Sequence, residues 1–297
     1  MHTFSVIIPH HNIPDLLQRC LESIPDREDV QVIVVDDNSS AEKVDFEHFP
    51  GLERKYTECI FDKEGGGAGH ARNIGLRHAD GKWLVFADAD DFFTKDAFDI
   101  LYSHKDEPAN IILFKADSVD SDDYSLSNRH LELNQAIDEA LAGKITSKEA
   151  VWKMPVPWCK MVCREYVEKN NIEFEEVVSS NDMMFVLKSV CWTHDDAVMV
   201  FDELIYTVTT RKNSLFDSRN KDLTNFLCRL GVFIRCNRFQ NHYRLFRNEP
   251  IIIHLWRARR FGVGGFVKAF ALVIRNHALF SGFDTFLGIV NNHTLKL

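Results

Sequence analysis

A chain of 297 residues, 45% hydrophobic and 27% charged, has the composition of an ordinary soluble globular protein with room for one large domain or two modest ones. Its formal charge of −9 is unevenly placed: residues 220–297 carry 12 Lys and Arg against 3 Asp and Glu (net +9), and residues 1–219 carry 23 against 41 (net −18). No nucleic-acid partner is expected, and the longest apolar passage, Phe261 to Ile274, is 14 residues interrupted by Lys268, too short to span a bilayer.

Phe4 to Ile8 has the character of a buried strand stopped at Pro9. Asn12 is placed to cap a helix with Pro14 in its first turn, and Ile13, Leu16, Leu17, Cys20, Leu21 and Ile24 follow the helical stripe. Val30 to Val35, rich in β-branched residues, is the next strand and ends in Asp36-Asp37-Asn38-Ser39-Ser40. Strand, helix, strand in this order predicts a parallel sheet with a right-handed crossover. Cys59 to Phe61 forms a short third strand, and the glycine cluster at 65–69 leads into a helix over His70 to Ala79, ended by Asp80-Gly81. Trp83 to Ala87 is the following strand, Thr94 caps a helix reaching about Ser103, and Ile111 to Phe114 returns to the sheet. Asp117 to Asn128 is polar and expected to be a loop. Thr146-Ser147-Lys148-Glu149 has capping-box spacing, Asp182 opens an apolar helix-like run through Cys191, and Leu223, Phe226, Leu227, Leu230 and Ile234 share one helical face.

The chemistry is concentrated after the fourth strand. Asp88, Asp90 and Asp91 place three carboxylates within four residues, which raise one another's pKa unless a cation sits among them. Hard oxygen donors suit magnesium or manganese, strand ends are where open α/β sheets place ligands, and such a metal suggests a diphosphate. The glycine cluster is not a dinucleotide fingerprint, since Gly65 and Gly67 are followed by His70, and Gly67 and Gly69 by Arg72. Arg72-Asn73, just inside the helix, instead offers a guanidinium and backbone donors to an anion. Asp36-Asp37 fits either an Asx-capped turn or recognition of a base or ribose. His10 and His11 are adjacent and diverge, so they suit a loop beside a nucleotide better than a metal site. The seven cysteines form no ligand pattern, Cys159 and Cys163 lacking a second pair, and with no signal peptide they are expected to be reduced thiols of a cytoplasmic protein.

Taken together, Phe4-Ser5-Val6-Ile7-Ile8-Pro9 with Asn12, Val34-Val35-Asp36-Asp37-Asn38-Ser39, Gly69 to Gly75 with Ala71-Arg72-Asn73, and Phe86-Ala87-Asp88-Ala89-Asp90-Asp91 resemble the family 2 glycosyltransferases. The order and spacing match over about the first 100 residues. A looser match runs through Pro157-Trp158-Cys159-Lys160, Ser180 to Phe185 and Arg211-Lys212-Asn213-Ser214. The resemblance implies a GT-A fold: α/β, with a Rossmann-like, mainly parallel sheet flanked by helices. A glycosyltransferase domain is expected over 1–219, its nucleotide-sugar half about 1–115 and its acceptor half about 116–219, before a basic helical region over 220–297. It also implies an inverting, metal-dependent enzyme using manganese or magnesium, a nucleotide-sugar donor, most commonly a uridine diphosphate sugar, and a glycan or glycolipid acceptor of a cell envelope. Pro9, Asn12, Asp37 and Arg72 would hold the nucleotide, with Asp88 near the ribose. Asp90 would coordinate the metal, and Asp182 would be the catalytic base.

Two departures stand out. Asn181-Asp182 replaces the family's Glu-Asp, removing a negative neighbour from the base, and His11 stands where a Tyr is common. A scaffold protein that has lost catalysis remains a competing reading on the strength of Asn181. A nucleotidyltransferase is less well supported, because Pro9-His10-His11-Asn12 is not a glycine-rich basic loop. The basic segment around Arg257-Ala258-Arg259-Arg260-Phe261 fits either a helical cover for the catalytic domain or peripheral contact with the cytoplasmic face of a membrane.

Overall fold

The computed structural model describes residues 2–211, 222–243, 245, 250–279 and 281. Among them, eight strands form one sheet: β1 Phe4–His10, β2 Val30–Asp37, β3 Thr57–Asp62, β4 Trp83–Phe86, β5 Phe92–Phe93, β6 Ile111–Asp120, β7 Lys160–Cys163 and β8 Val198–Thr210, in the order β3-β2-β1-β4-β7-β6-β8-β5. The first four neighbours are mutually parallel, β7 runs antiparallel between β4 and β6, β8 is parallel to β6, and β5 is antiparallel to β8. Helix α1 (Pro14–Glu22) crosses from β1 to β2, and α2 (Gly67–His78) from β3 to β4. The chain thus builds outward from β1 on one side and returns to its other side with β4. This is a topological switch point, the place at which open α/β sheets bind their ligands.

Burial explains the central strand. Phe4, Val6, Ile7 and Ile8 are all fully buried, as a parallel strand covered on both faces requires. Helix α2 lies so close that a Cβ on Gly75 would fall 2.4 Å from Ile7 Cγ2, and in the turn that follows it one on Gly81 would fall 2.6 Å from the Phe4 carbonyl carbon. The remaining helices of this unit are α3 (Ala97–Ser103), α4 (Leu131–Leu141), α5 (Ser147–Lys153), α6 (Arg164–Lys169) and most of α7 (Met183–Cys191). Residues 178–184 group instead with the C-terminal helices α8 (Leu223–Tyr243), α9 (Ile251–Ala258) and α10 (Gly262–Arg275) as a second compact unit. Among the described residues no helix is long and apolar enough to cross a membrane.

Several boundaries differ from those the sequence predicts, each for a physical reason. β1 continues through Pro9 to His10. The Ala87 N–H bonds the Ile7 carbonyl, so the odd positions face β4, which has ended at Phe86; the N–H that proline lacks has no ladder partner to lose. Asn12 does not cap α1: it takes a left-handed φ of 59°, and its side-chain oxygen accepts the Ser40 N–H at 2.8 Å. Thr94 donates to the Leu204 carbonyl, and α3 starts only at Ala97. β6 extends to Asp120, through the first third of the expected polar loop, because β8 pairs with it as far as Asp120↔Thr210. Residues 212–214 of the looser sequence match lie outside the described residues. The capping box at α5 forms as expected, with Thr146 accepting the Glu149 N–H at 3.1 Å and Glu149 accepting the Thr146 N–H at 2.8 Å. Thr146→Ala should therefore cost about 1 kcal/mol in urea denaturation with an unchanged m-value; no change in the midpoint would show that the box contributes nothing.

Candidate active site

The loops after β1 and β2 are tied together by one buried histidine. His10 Nδ1 donates to Asp36 Oδ1 at 2.7 Å, and its Nε2 accepts the Ile13 N–H at 3.1 Å, so the ring is the neutral tautomer with its proton on Nδ1. Asp36 also accepts the Ser39 N–H at 3.0 Å and the Ser39 hydroxyl at 2.5 Å. Burial works to raise the Asp36 carboxyl, but the bonds from His10 and Ser39 outweigh it and hold the group below the usual carboxylate range. Ser39 Oγ in turn accepts the Asn12 N–H at 2.8 Å, and exposed His11 bonds the Asp37 carbonyl at 2.8 Å. Pro9 is half-buried at the mouth of this loop.

Asp37 points the other way. Its carboxylate accepts the Gly66 N–H at 2.7 Å and the Gly67 N–H at 2.9 Å, capping α2 where the helix dipole favours a negative charge. This cap explains why α2 starts at Gly67 and not His70. Gly65 and Gly67 take φ of 71° and 82°, which glycine alone adopts readily. The helix then delivers Arg72, buried with its guanidinium 5.3 Å from the Phe174 ring, to the acidic turn. Asn73 is used internally. It bonds Phe174 in both directions (2.9 and 3.1 Å) and Glu176 at 3.1 Å, fixing residues 174–176 to α2.

In the acidic turn, Asp88, Asp90 and Asp91 each bring a ligand oxygen within 4.8 Å of the others. Their surroundings separate them. Half-buried Asp88 receives Arg72 Nη2 at 2.5 Å, while its own N–H donates to the Tyr206 hydroxyl at 2.9 Å. Half-buried Asp90 receives Arg211 Nε at 3.1 Å. Asp91 is buried and accepts the Thr209 N–H at 2.7 Å; burial, then repulsion from Asp90 and Asp88, push its carboxyl well above the usual range despite Arg129. Asp91 therefore ties the turn to β8, leaving Asp88 and Asp90 as the pair that can face a ligand. An all-oxygen donor set with crowded negative charge fits magnesium or manganese.

The residues bracing this turn carried little or no sequence signal. Arg19, in the last turn of α1, donates through Nη2 to the Asp90 carbonyl at 2.6 Å and the Ser121 hydroxyl at 3.2 Å, between the rings of Phe92 (5.3 Å) and Tyr124 (5.8 Å). Thr209 Oγ1 donates to the same Asp90 carbonyl at 2.7 Å. Tyr206, fully buried, stacks on Trp158 at 5.5 Å. Of these, Arg211 and Trp158 lie within the looser sequence match. Asp182 lies in the turn directly before α7, half-buried, within the segment that groups with the second unit.

Removing the Asp36 carboxylate tests the loop clamp. Asp36→Ala leaves His10 Nδ1 without its acceptor and should cost about 2 kcal/mol at neutral pH. Because the folded-state pKa is depressed, this stability is present above the unfolded carboxylate pKa and is lost as pH falls through the folded value. The gap between wild-type and variant melting temperatures should narrow on acidification; a constant gap would contradict the assignment.

The model of glycosyl transferase family 2 matches residues 5–170. GgaB of Bacillus subtilis, a minor teichoic acid biosynthesis protein, is 34% identical over 119 residues, covering 37% of this chain and 13% of that protein. TarS of Staphylococcus aureus, a poly(ribitol-phosphate) beta-N-acetylglucosaminyltransferase, is 23% identical over 218 residues, covering 71% of this chain and 36% of that protein. This chain thus spans little more than a third of TarS and much less of GgaB. The crystal structure of TarS residues 1–349 with UDP-GlcNAc superposes with a TM-score of 0.59 at 18% identity, covering 97% of this chain and 92% of that one. The mannosyltransferase PcManGT of Pyrobaculum calidifontis, in complex with GDP-Man and Mn2+, gives 0.53 at 16% identity, covering 99% and 81%. These likenesses show the GT-A type of fold that the motifs implied. With more than half of its length matched by the family model, the chain belongs to glycosyl transferase family 2.

Proposed function

We propose that this chain transfers a sugar from a nucleoside diphosphate sugar to a hydroxyl of an envelope glycan or glycolipid, with inversion at the anomeric carbon and dependence on a divalent metal. The observation that carries the reading is the acidic turn at the switch point, where Asp88 and Asp90 each face an arginine, Arg72 and Arg211. A uridine diphosphate donor is supported by the TarS complex with UDP-GlcNAc. An envelope acceptor is supported by the names of GgaB and TarS.

Asp90, with Asp88 beside it, would hold the metal, whose contribution when bound is to neutralise charge growing on the departing diphosphate. Arg72 and Arg211, which bond Asp88 and Asp90, would pass their hydrogen bonds from carboxylate to phosphate oxygens. Pro9, Asn12 and Asp37 line the nucleoside end, with Asp88 nearer the ribose. Asp182 accepts the proton of the acceptor hydroxyl as it attacks from the face opposite the diphosphate. A carboxylate is a weak base for an alcohol, so proton transfer is concerted with bond formation, and no covalent enzyme intermediate is needed. A second reading, a binding protein without catalysis, is favoured only by Asn181. Donor-dependent turnover would exclude it.

Thermal-shift screening against nucleotide sugars, with and without manganese, tests the donor class: one uridine sugar should raise the melting temperature in a metal-dependent way. No response to any nucleotide sugar would sink the proposal. Asp182→Asn should lower kcat about 10²- to 10⁴-fold with donor binding retained; full activity would remove Asp182 as the base. Arg19→Ala, which leaves the Asp90 carbonyl to Thr209 alone and removes no carboxylate, should cost about 10- to 100-fold in activity or metal affinity. Its signature is a manganese optimum moved to higher concentration, and an unchanged metal profile would make Arg19 purely structural.

A further inference from the structure

Helix α10 packs through its small residues. Gly265, Ala269 and Val273 are buried, and a Cβ on Gly265 would lie 3.5 Å from Leu223 Cδ1 of α8, so this is the side on which the helix is seated. The larger apolar residues face outward: Val263, Val267, Phe270 and Ile274 are 81%, 56%, 42% and 45% exposed. Spaced i, i+4, i+7 and i+11, they fall within an arc of about 60° at ~100° per residue. Lys268 and Arg275, both exposed, flank this stripe on one side. On the preceding helix α9, Trp256 is 68% exposed and is followed by exposed Arg257, Arg259 and Arg260. From 250 to 283 the sequence holds five Lys and Arg and no Asp or Glu.

A water-facing helix ordinarily presents its polar side. A continuous exposed apolar stripe beside basic residues marks an interaction surface. We infer that the exposed face of α10 docks on an anionic lipid bilayer, lying in the interfacial plane with Val263, Val267, Phe270 and Ile274 at the acyl boundary and the basic residues on the lipid phosphates. A second copy of the chain is a poor occupant, since apposing two such faces would bring together basic surfaces with no acidic residue to pair them. The sequence left a helical cover and a membrane contact as competing readings of this region; the outward stripe on α10 selects the second for this face. The inference does not depend on the catalytic reading.

Flotation of the full chain with vesicles tests it. The protein should float with phosphatidylglycerol–phosphatidylcholine vesicles, do so more weakly as salt rises, and stay unbound to phosphatidylcholine alone. The variant carrying Val267→Glu and Phe270→Glu, at positions already exposed, should keep its circular dichroism and its thermal response to nucleotide sugars but bind at least about tenfold more weakly. Arg257→Gln with Arg259→Gln should weaken the salt-sensitive part of binding. Failure of the wild type to float with anionic vesicles, or equal flotation of the glutamate variant, would overturn the inference. So would a wild-type dimer in light scattering that ignores lipid and is dissociated by the glutamate substitutions, because the stripe would then belong to a second copy.

Discussion

The charge concentrated after β4 is the constraint on which the rest of this unit depends. Three carboxylates whose oxygens approach within 4.8 Å would force the turn apart in the absence of compensation. The fold brings Arg72 from α2 to one, Arg211 from the end of β8 to another, and buries the third against the Thr209 amide. Arg19 and Thr209 grip the Asp90 carbonyl, and the Tyr206 hydroxyl takes the Asp88 amide, so the backbone is held as firmly as the side chains. The arrangement leaves Asp88 and Asp90 half-buried while their buried neighbour Asp91 anchors them. Preorganisation of this kind is what a metal-diphosphate site needs, because ligands already in place lose little freedom when the cation arrives.

A similar division of labour separates the two acids after β2. Asp36 and Asp37 are adjacent on a strand and so point in opposite directions. One is consumed by the His10 clamp that shapes the β1 loop, and the other caps α2 and fixes the helix that carries Arg72. The two acids that the sequence left between a turn and a recognition role are thus doing different work. Through Asp37, the position of the glycine segment is coupled to the strand end beside which a nucleoside would lie.

Most of the first half of this architecture was legible in the sequence because it is local. The apolar runs of β1, β2 and β4, the stripe of α1 and the acids at strand ends are patterns within short windows. What escaped depends on distant segments. Nothing around Arg19 indicates that its guanidinium crosses to a carbonyl 71 residues away, and Tyr206 and Thr209 reach the acidic turn from 118 and 119 residues further along the chain. The errors at Asn12 and Thr94 have the same origin. Both are good capping residues by type, but tertiary partners, Ser40 for one and the Leu204 carbonyl for the other, claimed their side chains. Within the polar stretch Asp117 to Asn128, residues 117–120 are strand only because β8 pairs with them, and that pairing is invisible locally.

The proposed function turns on Asp90, in the acidic turn beside Asp88, holding a divalent cation that binds a nucleoside diphosphate. Electron paramagnetic resonance of manganese, titrated with protein in the presence and absence of uridine diphosphate, measures this directly. The account predicts that the nucleotide tightens manganese binding to the wild type and that Asp90→Asn abolishes the bound signal while the protein stays folded. Unaltered manganese binding in Asp90→Asn, or nucleotide binding indifferent to the metal, would contradict it.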